Sequence, residues 1–437
     1  MTPKTLKISL LIVMCVMAYW PNTTHAQNTL DSLNTEERFE ISDSLLRQLD
    51  SRISQIVHEG IDSMAFPGCQ ILIAKDGQTF YRKSFGFHTY SQKQKVKNTD
   101  LYDLASITKV AGSTLALMKL YDEGKIQLDE SFSAYWADFN GNNKSEMTMR
   151  EVLAHNARLK SYIPYYAEMK KKNGSFKWRS VRTDSSRRFP TRISSTQFLY
   201  KDFKVKRIYK MIKKSKLNQN PGYLYSGLSF YLIPEIVSNL TGQRFENYLK
   251  DNFYKPLGAS TLCFKAGEKY PLQRIVPTED DDYFRNQLLH GIVHDEGAAM
   301  MDGISGNAGL FSTAEDLAKV FQMLLNKGEL QGKQYLSPET IDEFTRCQYC
   351  DQENRRGLGF DKPLIEYDSI KSSVAKMASH MSYGHSGYTG TIVWADPENQ
   401  LLYIFLSNRV HPSRSNRNLY DMNIRPRIHN VIYELIK

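Results

Sequence analysis

Ser106 and Lys109 form the arrangement in this chain that could most directly do chemistry, a serine followed three residues later by a lysine. On a helix, residues three apart share one face, with Cβ atoms about 5–6 Å apart. An unprotonated lysine amine at that distance can take the serine proton and make the hydroxyl a nucleophile. Residues that follow on one stripe at helical spacing predict a helix, which Gly124 ends. The stripe consists of Val110, Thr114, Leu117, Met118 and Tyr121.

The Ser-x-x-Lys pattern is weak evidence by itself because it occurs twice. The second copy, Ser373 and Lys376, lies in a polar stretch with no apolar stripe after it, which predicts a solvated loop or the approach to a strand. Ser106 alone could also be an ordinary helix start, since serine is a favoured N-cap residue.

Two further motifs strengthen the catalytic interpretation of Ser106. Residues 221–227 read Pro-Gly-Tyr-Leu-Tyr-Ser-Gly, and residues 383–391 read Tyr-Gly-His-Ser-Gly-Tyr-Thr-Gly-Thr. With its motifs in the order Ser-x-x-Lys, Tyr-Ser-x and His-Ser-Gly, the chain resembles the serine β-lactamase and penicillin-binding-protein superfamily. It is most similar to the class C-like branch, which includes esterases and D-amino-acid peptidases, and to that branch's Bacteroidetes-type members.

The resemblance runs from about Asp43 to the C-terminus. It includes two loops and the end of a last strand, at residues 290–295, 306–312 and 407–410. It implies an α/β (α+β) fold, with an antiparallel sheet built from both chain ends and flanked by helices. A mostly helical lobe, about residues 125–320, would be inserted, and residues 27–437 would form one β-lactamase-related serine hydrolase domain.

Hydrophobic periodicity predicts several elements directly. They are helices at about residues 45–57, 313–325 and 426–436, and hairpins at residues 70–85 and 391–406. Residue 151 to the low 300s reads as mostly helical. Strands at both ends with helices between them predict one sheet made from both termini.

The resemblance assigns catalytic roles to three residues. Ser106 would attack a carbonyl, and Lys109 would be either the base or the group that keeps Tyr225 deprotonated. A phenol has a free pKa near 10, so Tyr225 can act as a base only beside cations. The backbone N–H groups of Ser106 and Tyr388 would form the oxyanion hole. An ordinary tyrosine in the lobe is the alternative for Tyr225, because the chain has 26 tyrosines.

The substrate side of the predicted site comprises His385, Ser386 and Gly387, together with Arg409. Gly387 suits a strand that substrate backbone approaches closely. His385 stands where the lactamases usually have lysine, and a mostly neutral histidine is a poorer partner for a substrate carboxylate. Arg409 could compensate. His294 and Asp295 are interpreted as residues that fix a loop rather than as catalysts.

Gly227 is a second departure from the family pattern, which usually has Asn, and sometimes Asp, after Tyr-Ser. Glycine has no side chain to bind a substrate amide or to orient Lys109. This puts β-lactam hydrolysis in doubt and makes reduced activity an open alternative.

The first 26 residues predict a secretory signal peptide, so the mature protein is expected to be secreted across the inner membrane into the periplasm. Lys4 and Lys7 precede an apolar stretch at residues 8–20, and Thr24-His25-Ala26 is an acceptable cleavage site. Thirteen apolar residues are too few for a membrane span, which needs about 20. No transmembrane segment is predicted.

Positive charge is concentrated in residues 170–216, which hold 17 Lys and Arg against two acids. The segment's net charge of +15 exceeds the +10 of the whole chain. It could guide an anionic envelope partner or substrate. The alternative is a solvated, partly helical excursion. Nucleic acid is not an expected partner of an exported protein.

The cysteines Cys69, Cys263, Cys347 and Cys350 remain after the signal peptide is removed. The Cys-x-x-Cys pair at 347 and 350 predicts a local disulfide or two free thiols, because it lacks the second pair of a zinc site and a thioredoxin-like context. There is no Gly-x-Ser-x-Gly elbow, zinc-protease motif or phosphate-binding loop. No cofactor or metal is implied.

Three hypotheses follow for the function. The leading one is an exported serine hydrolase that forms an acyl-enzyme on esters or amides, with small molecules or cell-wall D-alanyl groups as substrates. The second is a β-lactamase. The third is a penicillin-binding-like module with little turnover that recognises envelope components through its basic segment.

Overall fold

The computed structural model describes residues 39–436. The predicted signal peptide lies outside the described residues and stays a prediction. The described residues from Ile41 onward form one structural unit. No helix among the described residues is long and apolar enough to cross a membrane.

Fifteen strands occur in the described part of the chain. They are β1 (Gly68–Lys75), β2 (Gln78–Gly86), β3 (Tyr102–Asp103), β4 (Val181–Arg182), β5 (Thr191–Arg192), β6 (Phe198–Leu199), β7 (Cys263–Phe264), β8 (Glu279–Asp281), β9 (Gln287–Leu289), β10 (Leu310–Ser312), β11 (Glu329–Leu330), β12 (Lys333–Gln334), β13 (Tyr383–Ser386), β14 (Ile392–Asp396) and β15 (Leu401–Ser407). The main sheet has the order β13-β14-β15-β1-β2, and every neighbouring pair is antiparallel. The sheet therefore joins both chain ends, as the sequence predicted.

Thirteen α-helices occur in the same part of the chain. They are α1 (Asp43–Asp62), α2 (Leu115–Asp122), α3 (Phe132–Tyr135), α4 (Met149–Leu153), α5 (Lys210–Lys214), α6 (Ile233–Thr241), α7 (Phe245–Leu249), α8 (Ala266–Lys269), α9 (Glu296–Met300), α10 (Ala314–Leu325), α11 (Pro338–Thr345), α12 (Asn418–Asp421) and α13 (Ile424–Ile436). The helices predicted near residues 45–57, 313–325 and 426–436 are confirmed as α1, α10 and α13.

The main sheet is buried on both faces. Successive side chains of a strand point to opposite faces, so each face packs against its own neighbouring helix. Leu72 and Ile404 belong to the same hydrophobic core as the residues of α10. On the other face, the ring of Tyr403 stacks on His429 of α13 with centroids 4.8 Å apart. This explains why β1 and β15 are apolar along almost their whole length, with every residue of β15 buried.

The region from residue 151 to the low 300s differs from the mostly helical expectation. Short helices alternate there with strands, among them the three-stranded sheet β4-β6-β5 and the hairpin β8-β9. Within the basic segment 170–216, only α5 is α-helical, and it follows a π-helical turn at Lys204–Tyr209. Buried residues such as Val181, Phe189 and Ile193 are too scattered to form a helical stripe, which is the physical reason for the difference.

Two further predictions concern the cysteines and the second Ser-x-x-Lys copy. Cys347 and Cys350 form a disulfide, while Cys69 and Cys263 are buried free thiols. The second Ser-x-x-Lys copy lies in a loop with neither helix nor strand, and its Lys376 is exposed.

Candidate active site

Ser106 lies on a short 3-10 turn, Ala105–Ile107, which continues through a π-helical turn into α2. The predicted helix is thus present with an irregular start, and Ser106 is not its N-cap. Ala105 has a left-handed backbone with φ of +46°, an uncommon conformation for a residue with a side chain. Its N–H donates to Oδ1 of Asp103 at 2.8 Å, which holds the turn. Backbone strain of this kind clusters at functional sites.

Three of the predicted site side chains meet at one point. Nζ of Lys109 donates a hydrogen bond to Oγ of Ser106 at 3.0 Å, and the hydroxyl of Tyr225 donates to the same Oγ at 3.3 Å. Lys109 is buried, and its Nζ lies 5.3 Å from the ring centre of Tyr225. The arrangement is that of a nucleophile within reach of candidate bases.

Tyr225 is half-buried at the wall of the cleft. Burial by itself raises the pKa of its hydroxyl, but the charge of Lys109 and hydrogen bonds with Lys109 and Ser106 lower it. The charge of Arg356, whose guanidinium carbon lies 5.2 Å from the ring centre, acts in the same direction. The net pKa of Tyr225 lies below the ordinary value of a phenol, so a proton leaves it more readily.

Asn307 orients Lys109, a role that Gly227 cannot fill because it has no side chain. The carbonyl oxygen of Asn307 accepts a hydrogen bond from Nζ of Lys109 at 3.1 Å. The amide of Asn307 is itself held, because Oδ1 accepts from Ser305 at 2.6 Å and Nδ2 donates to Tyr231 at 3.1 Å. A Cβ placed on Gly227 would lie 3.9 Å from Cβ of Asn307, so there is room for a side chain at the cleft.

The two predicted oxyanion donors both border the cleft, since Ser106 and Tyr388 line it. Among the hydrogen bonds of residues 39–436, none is donated by the backbone N–H of Ser106 or of Tyr388. The turn that carries Tyr388 is fixed to the strand before Ser106, because Oγ1 of Thr391 donates to the carbonyl of Leu104 at 3.2 Å. Both donors are therefore free for a ligand.

Gly387 lies at the closest contact between these two segments. A Cβ at Gly387 would lie 2.1 Å from Oγ1 of Thr391 and 2.5 Å from the carbonyl oxygen of Leu104. The structure thus gives a reason for glycine that the sequence did not suggest, the packing of the turn against the Ser106 segment. Close approach of substrate at Gly387 stays a prediction.

His385 is buried at the end of β13, and its Nδ1 donates to the carbonyl of Ser386 at 2.7 Å. Burial lowers the pKa of His385 to about 3, and the charges of Arg356 and Lys109 act in the same direction. Its Nε2 is buried and has no hydrogen-bond partner among the described residues. His385 is thus a neutral ring behind Tyr225, with ring centroids 6.0 Å apart, rather than a cation.

The expected compensating role of Arg409 does not agree with its position. Arg409 is buried, and its Nε donates to the carbonyl of Tyr388 at 3.0 Å. Its Nη1 donates to the carbonyls of Arg414 and Asn416 at 3.1 and 2.6 Å. The guanidinium also lies 4.5 Å from the ring centre of Tyr388. Arg409 therefore positions Tyr388 and is not available to bind a substrate carboxylate.

The cleft encloses about 490 Å³ and is lined by tyrosines, two acids and two cations. The cations are Lys109 and Arg414, and Arg414 is paired with Glu279 and Glu296 at 2.5 and 2.6 Å. Lys109 is therefore the cleft-lining cation without a carboxylate partner in residues 39–436. No group of side chains able to hold a metal ion occurs in the same residues.

His294 and Asp295 hold the loop before α9. Nε2 of His294 hydrogen bonds with Glu279 at 2.8 Å, and its N–H donates to Asp103 at 2.7 Å. Oδ1 of Asp295 accepts from the N–H of Ala298 at 2.7 Å and so caps α9. These contacts agree with a loop-fixing role for both residues.

Three residues around the site were not singled out from the sequence. Asn307 belongs to a segment that the family resemblance had included, so a signal for it existed. His155 contacts the ring of Tyr225 with centroids 4.5 Å apart, and Arg356 reaches the same ring from a loop. Neither stands in a recognisable motif, so spacing alone could not find them.

The family follows from comparison with known proteins. The β-lactamase family model matches residues 53–424. The chain belongs to the β-lactamase family. An Escherichia coli O157:H7 protein named "Putative D-alanyl-D-alanine carboxypeptidase" is 31% identical, with 93% of this chain and 90% of the relative covered. The N-acetylmuramyl-L-alanine amidase of Bacillus subtilis (strain 168) is 29% identical, with 94% and 92% covered.

Solved structures support the same β-lactamase-like fold. A penicillin-binding-protein homologue from Caulobacter crescentus superposes with a TM-score of 0.63 at 17% identity, covering 89% of this chain and 98% of the other. The hydrolase EstCE1 superposes with a TM-score of 0.64 at 17% identity, covering 89% of this chain and 100% of the EstCE1 chain. At these identities the likeness concerns the fold, and the placement in a class C-like, Bacteroidetes-type branch stays a prediction.

Proposed function

We propose that this β-lactamase-family hydrolase forms an acyl-enzyme on Ser106 with amide or ester groups of cell-wall peptides, D-alanyl groups foremost. The observation that carries the proposal is the meeting of Lys109 Nζ and the Tyr225 hydroxyl at Oγ of Ser106, at 3.0 and 3.3 Å. The cell-wall assignment is supported by two relatives named as a D-alanyl-D-alanine carboxypeptidase and an N-acetylmuramyl-L-alanine amidase.

In the proposed reaction, Tyr225 acts as the phenolate and accepts the proton of Ser106 as Oγ bonds to the carbonyl carbon. The N–H groups of Ser106 and Tyr388 stabilise the negative carbonyl oxygen. Tyr225 then gives its proton to the leaving nitrogen or oxygen as the bond to carbon breaks. Tyr225, again a phenolate, then takes a proton from water as the water oxygen bonds to the acyl carbon. It gives that proton to Oγ of Ser106 as the bond between Oγ and the acyl carbon breaks.

Lys109 supplies the positive charge in this proposal, and Tyr225 is the base. Support comes from the lowered pKa of Tyr225, in which Lys109 is the strongest of the influences that oppose burial. The carbonyl of Asn307 keeps Nζ of Lys109 beside Ser106. This arrangement supports one of the two roles for Lys109 that the sequence left open, that of the group that keeps Tyr225 deprotonated.

The protein would work after export, in the periplasm, where cell-wall peptides are accessible. An anionic envelope component that contacts residues 170–216 is part of the proposal. Two alternatives from the sequence remain, a β-lactamase and a recognition module with little turnover. Gly227, which leaves open space at the cleft, counts against the first and, together with the basic segment, supports the second.

The test measures two activities in parallel. They are the release of D-alanine from short peptides ending in D-Ala-D-Ala and the hydrolysis of nitrocefin. Mature wild type is compared with Ser106→Ala and with Ser373→Ala, which removes the serine of the second Ser-x-x-Lys copy. We expect peptide hydrolysis by wild type and Ser373→Ala and none by Ser106→Ala. Hydrolysis of nitrocefin alone would identify a β-lactamase, and no hydrolysis of either would favour the recognition module.

A further inference from the structure

A groove lined by basic side chains opens among residues 168–207 and encloses about 680 Å³. Seven of its lining residues are Lys or Arg, and two, Glu168 and Asp202, are acidic. We call it the basic groove. The groove lies in the strongly positive segment, so the positive charges of that segment line a concave surface.

Both acids of the basic groove are already neutralised. Glu168 pairs with Arg207 at 3.6 Å, and Asp202 pairs with Lys206 at 3.1 Å. Five other lining cations make no ion pair within residues 39–436; they are Lys171, Lys177, Arg179, Arg188 and Lys201. Their charge is therefore available to a ligand.

Trp178 holds two guanidinium groups against its ring, and one of them, that of Arg179, lines the groove. Its ring is 55% exposed, and the guanidinium carbons of Arg179 and Arg182 lie 4.9 and 5.1 Å from the ring centre. An arginine held on an aromatic face loses less freedom on binding and presents planar donors that match a carboxylate.

The basic groove extends toward the active-site cleft through a second hollow. This hollow shares Lys206 and Arg207 with the groove and reaches Lys160. The next two residues, Ser161 and Tyr162, line the cleft that holds the reacting serine. Basic side chains therefore extend from the groove to Lys160, which directly precedes a residue of the cleft lining.

We propose that the basic groove and its extension to Lys160 bind an acidic cell-wall polymer whose reacting end lies at Ser106. The preferred substrate would then be peptidoglycan, a polymer with repeated carboxylates, while a short free peptide would react at Ser106 without contacting the groove. The charges line two adjoining hollows, and this concave surface fits a polymer chain better than a flat lipid surface. This inference rests on the proposed function for the identity of the reacting group, while binding to the polymer is independent of turnover.

The first experiment measures binding without turnover, by sedimentation of the Ser106→Ala protein with purified peptidoglycan over a range of salt concentrations. The groove variant adds Lys171→Gln, Arg179→Gln and Lys201→Gln. The matched control adds Lys93→Gln, Lys250→Gln and Lys255→Gln, three exposed lysines that line neither the groove nor the cleft. We expect the groove changes to weaken binding roughly tenfold or more, the control to bind as before, and salt to weaken binding.

The second experiment uses the same substitutions with Ser106 intact. Hydrolysis of a short D-Ala-D-Ala peptide should be unchanged in the groove variant, whereas kcat/KM on peptidoglycan falls with the binding loss. The inference is overturned if the groove variant sediments like the control, if wild-type binding is indifferent to salt, or if the protein binds anionic phospholipid vesicles and not peptidoglycan. Failure of wild type to cleave the short peptide would instead count against the proposed function, since the binding result does not depend on it.

Discussion

The guanidinium carbon of Arg356 lies 5.2 Å from the ring centre of Tyr225, and Arg356 is buried. Its Nη2 donates to the hydroxyl of Tyr223 at 3.1 Å, and its Nε lies 3.4 Å from the carboxylate of Asp361. Nε and Nη1 have no hydrogen-bond partner among the described residues. A buried cation that is only partly neutralised acts strongly on a neighbouring phenol, because the interior screens charge less than water does.

Replacing Arg356 with glutamine should make hydrolysis require a higher pH. Removal of the positive charge raises the pKa of Tyr225, and the phenolate needed as base is lost as pH falls through that pKa. We expect the acid limb of kcat/KM to move to higher pH, with a loss of up to roughly 100-fold at pH 7. The measurement is kcat/KM against pH for both proteins.

Arg355→Gln is the matched control for this change. Arg355 also pairs with Asp361, at 2.9 Å, but it is not among the main influences that lower the pKa of Tyr225. The control should lose stability without moving the pH profile. An equal shift in both variants would show that Asp361, rather than the charge beside Tyr225, controls the profile.

Gly227→Asn should be tolerated and should widen the substrate range. An added Cβ meets nothing closer than 3.9 Å, and the new amide would project beside the cleft, where it can bind a substrate amide. We expect a change in stability within about 0.5 kcal/mol and faster acylation by penicillins. Thermal melting and penicillin acylation rates measure the two effects.

Gly306→Ala provides the contrast, because its Cβ would lie 2.2 Å from the carbonyl oxygen of Phe230. That variant should be clearly destabilised. If Gly227→Asn is destabilised as strongly, the open space at position 227 is not usable and the interpretation is wrong.

Gly387→Ala should displace the turn that carries Tyr388. The new methyl group overlaps the carbonyl oxygen of Leu104, so either the turn or the Ser106 segment must move. We expect about 1–3 kcal/mol of lost stability from overpacking, together with a fall in kcat. Urea unfolding gives the first effect and steady-state kinetics the second. Normal kcat in a destabilised protein would separate Gly387 from the oxyanion site.

His385 should make the folded protein sensitive to acid. Its pKa falls from 6.5 to about 3 on folding, mainly through burial. The unfolded chain therefore binds a proton that the folded one does not, and stability falls as pH drops from about 6.5 toward 3. His385→Gln should remove about 1.4 kcal/mol per pH unit from that slope.

Urea unfolding at a series of pH values measures this slope. His380→Gln, at an exposed histidine, is the control and should leave the slope unchanged. Equal slopes in wild type and His385→Gln would show that His385 takes up its proton in the folded state.

The fold was predictable where local pattern decides the element. The continuous apolar run of β1, the Asp76-Gly77 turn and the amphipathic stripe of α1 all appear as expected. The basic segment was harder, because strands of two residues, such as β4 and β5, leave no period to detect. Their pairing with β6 depends on tertiary contacts.

The candidate site also contains residues that the sequence could identify and residues that it could not. The residues brought to Ser106 by motif, Lys109 and Tyr225, were identified from spacing and resemblance. The sequence did not reveal the roles of Arg356 and Asn307. Arg356 acts on Tyr225 through its guanidinium from a distant loop, and Asn307 holds Lys109 through its backbone carbonyl. The backbone carbonyl leaves no mark of residue type. Arg409 was misassigned because a sequence does not show that a guanidinium is already satisfied by carbonyls.

The most direct test of the account is to locate the acyl group. Mature protein is mixed with a D-alanyl thioester substrate, quenched in acid within a turnover, digested and mapped by mass spectrometry, with Ser373→Ala and Tyr225→Phe treated in parallel. We expect an acyl group on the peptide containing Ser106 in wild type and Ser373→Ala, and much slower acylation in Tyr225→Phe. An acyl group on another residue, or hydrolysis that persists in Ser106→Ala, would contradict it.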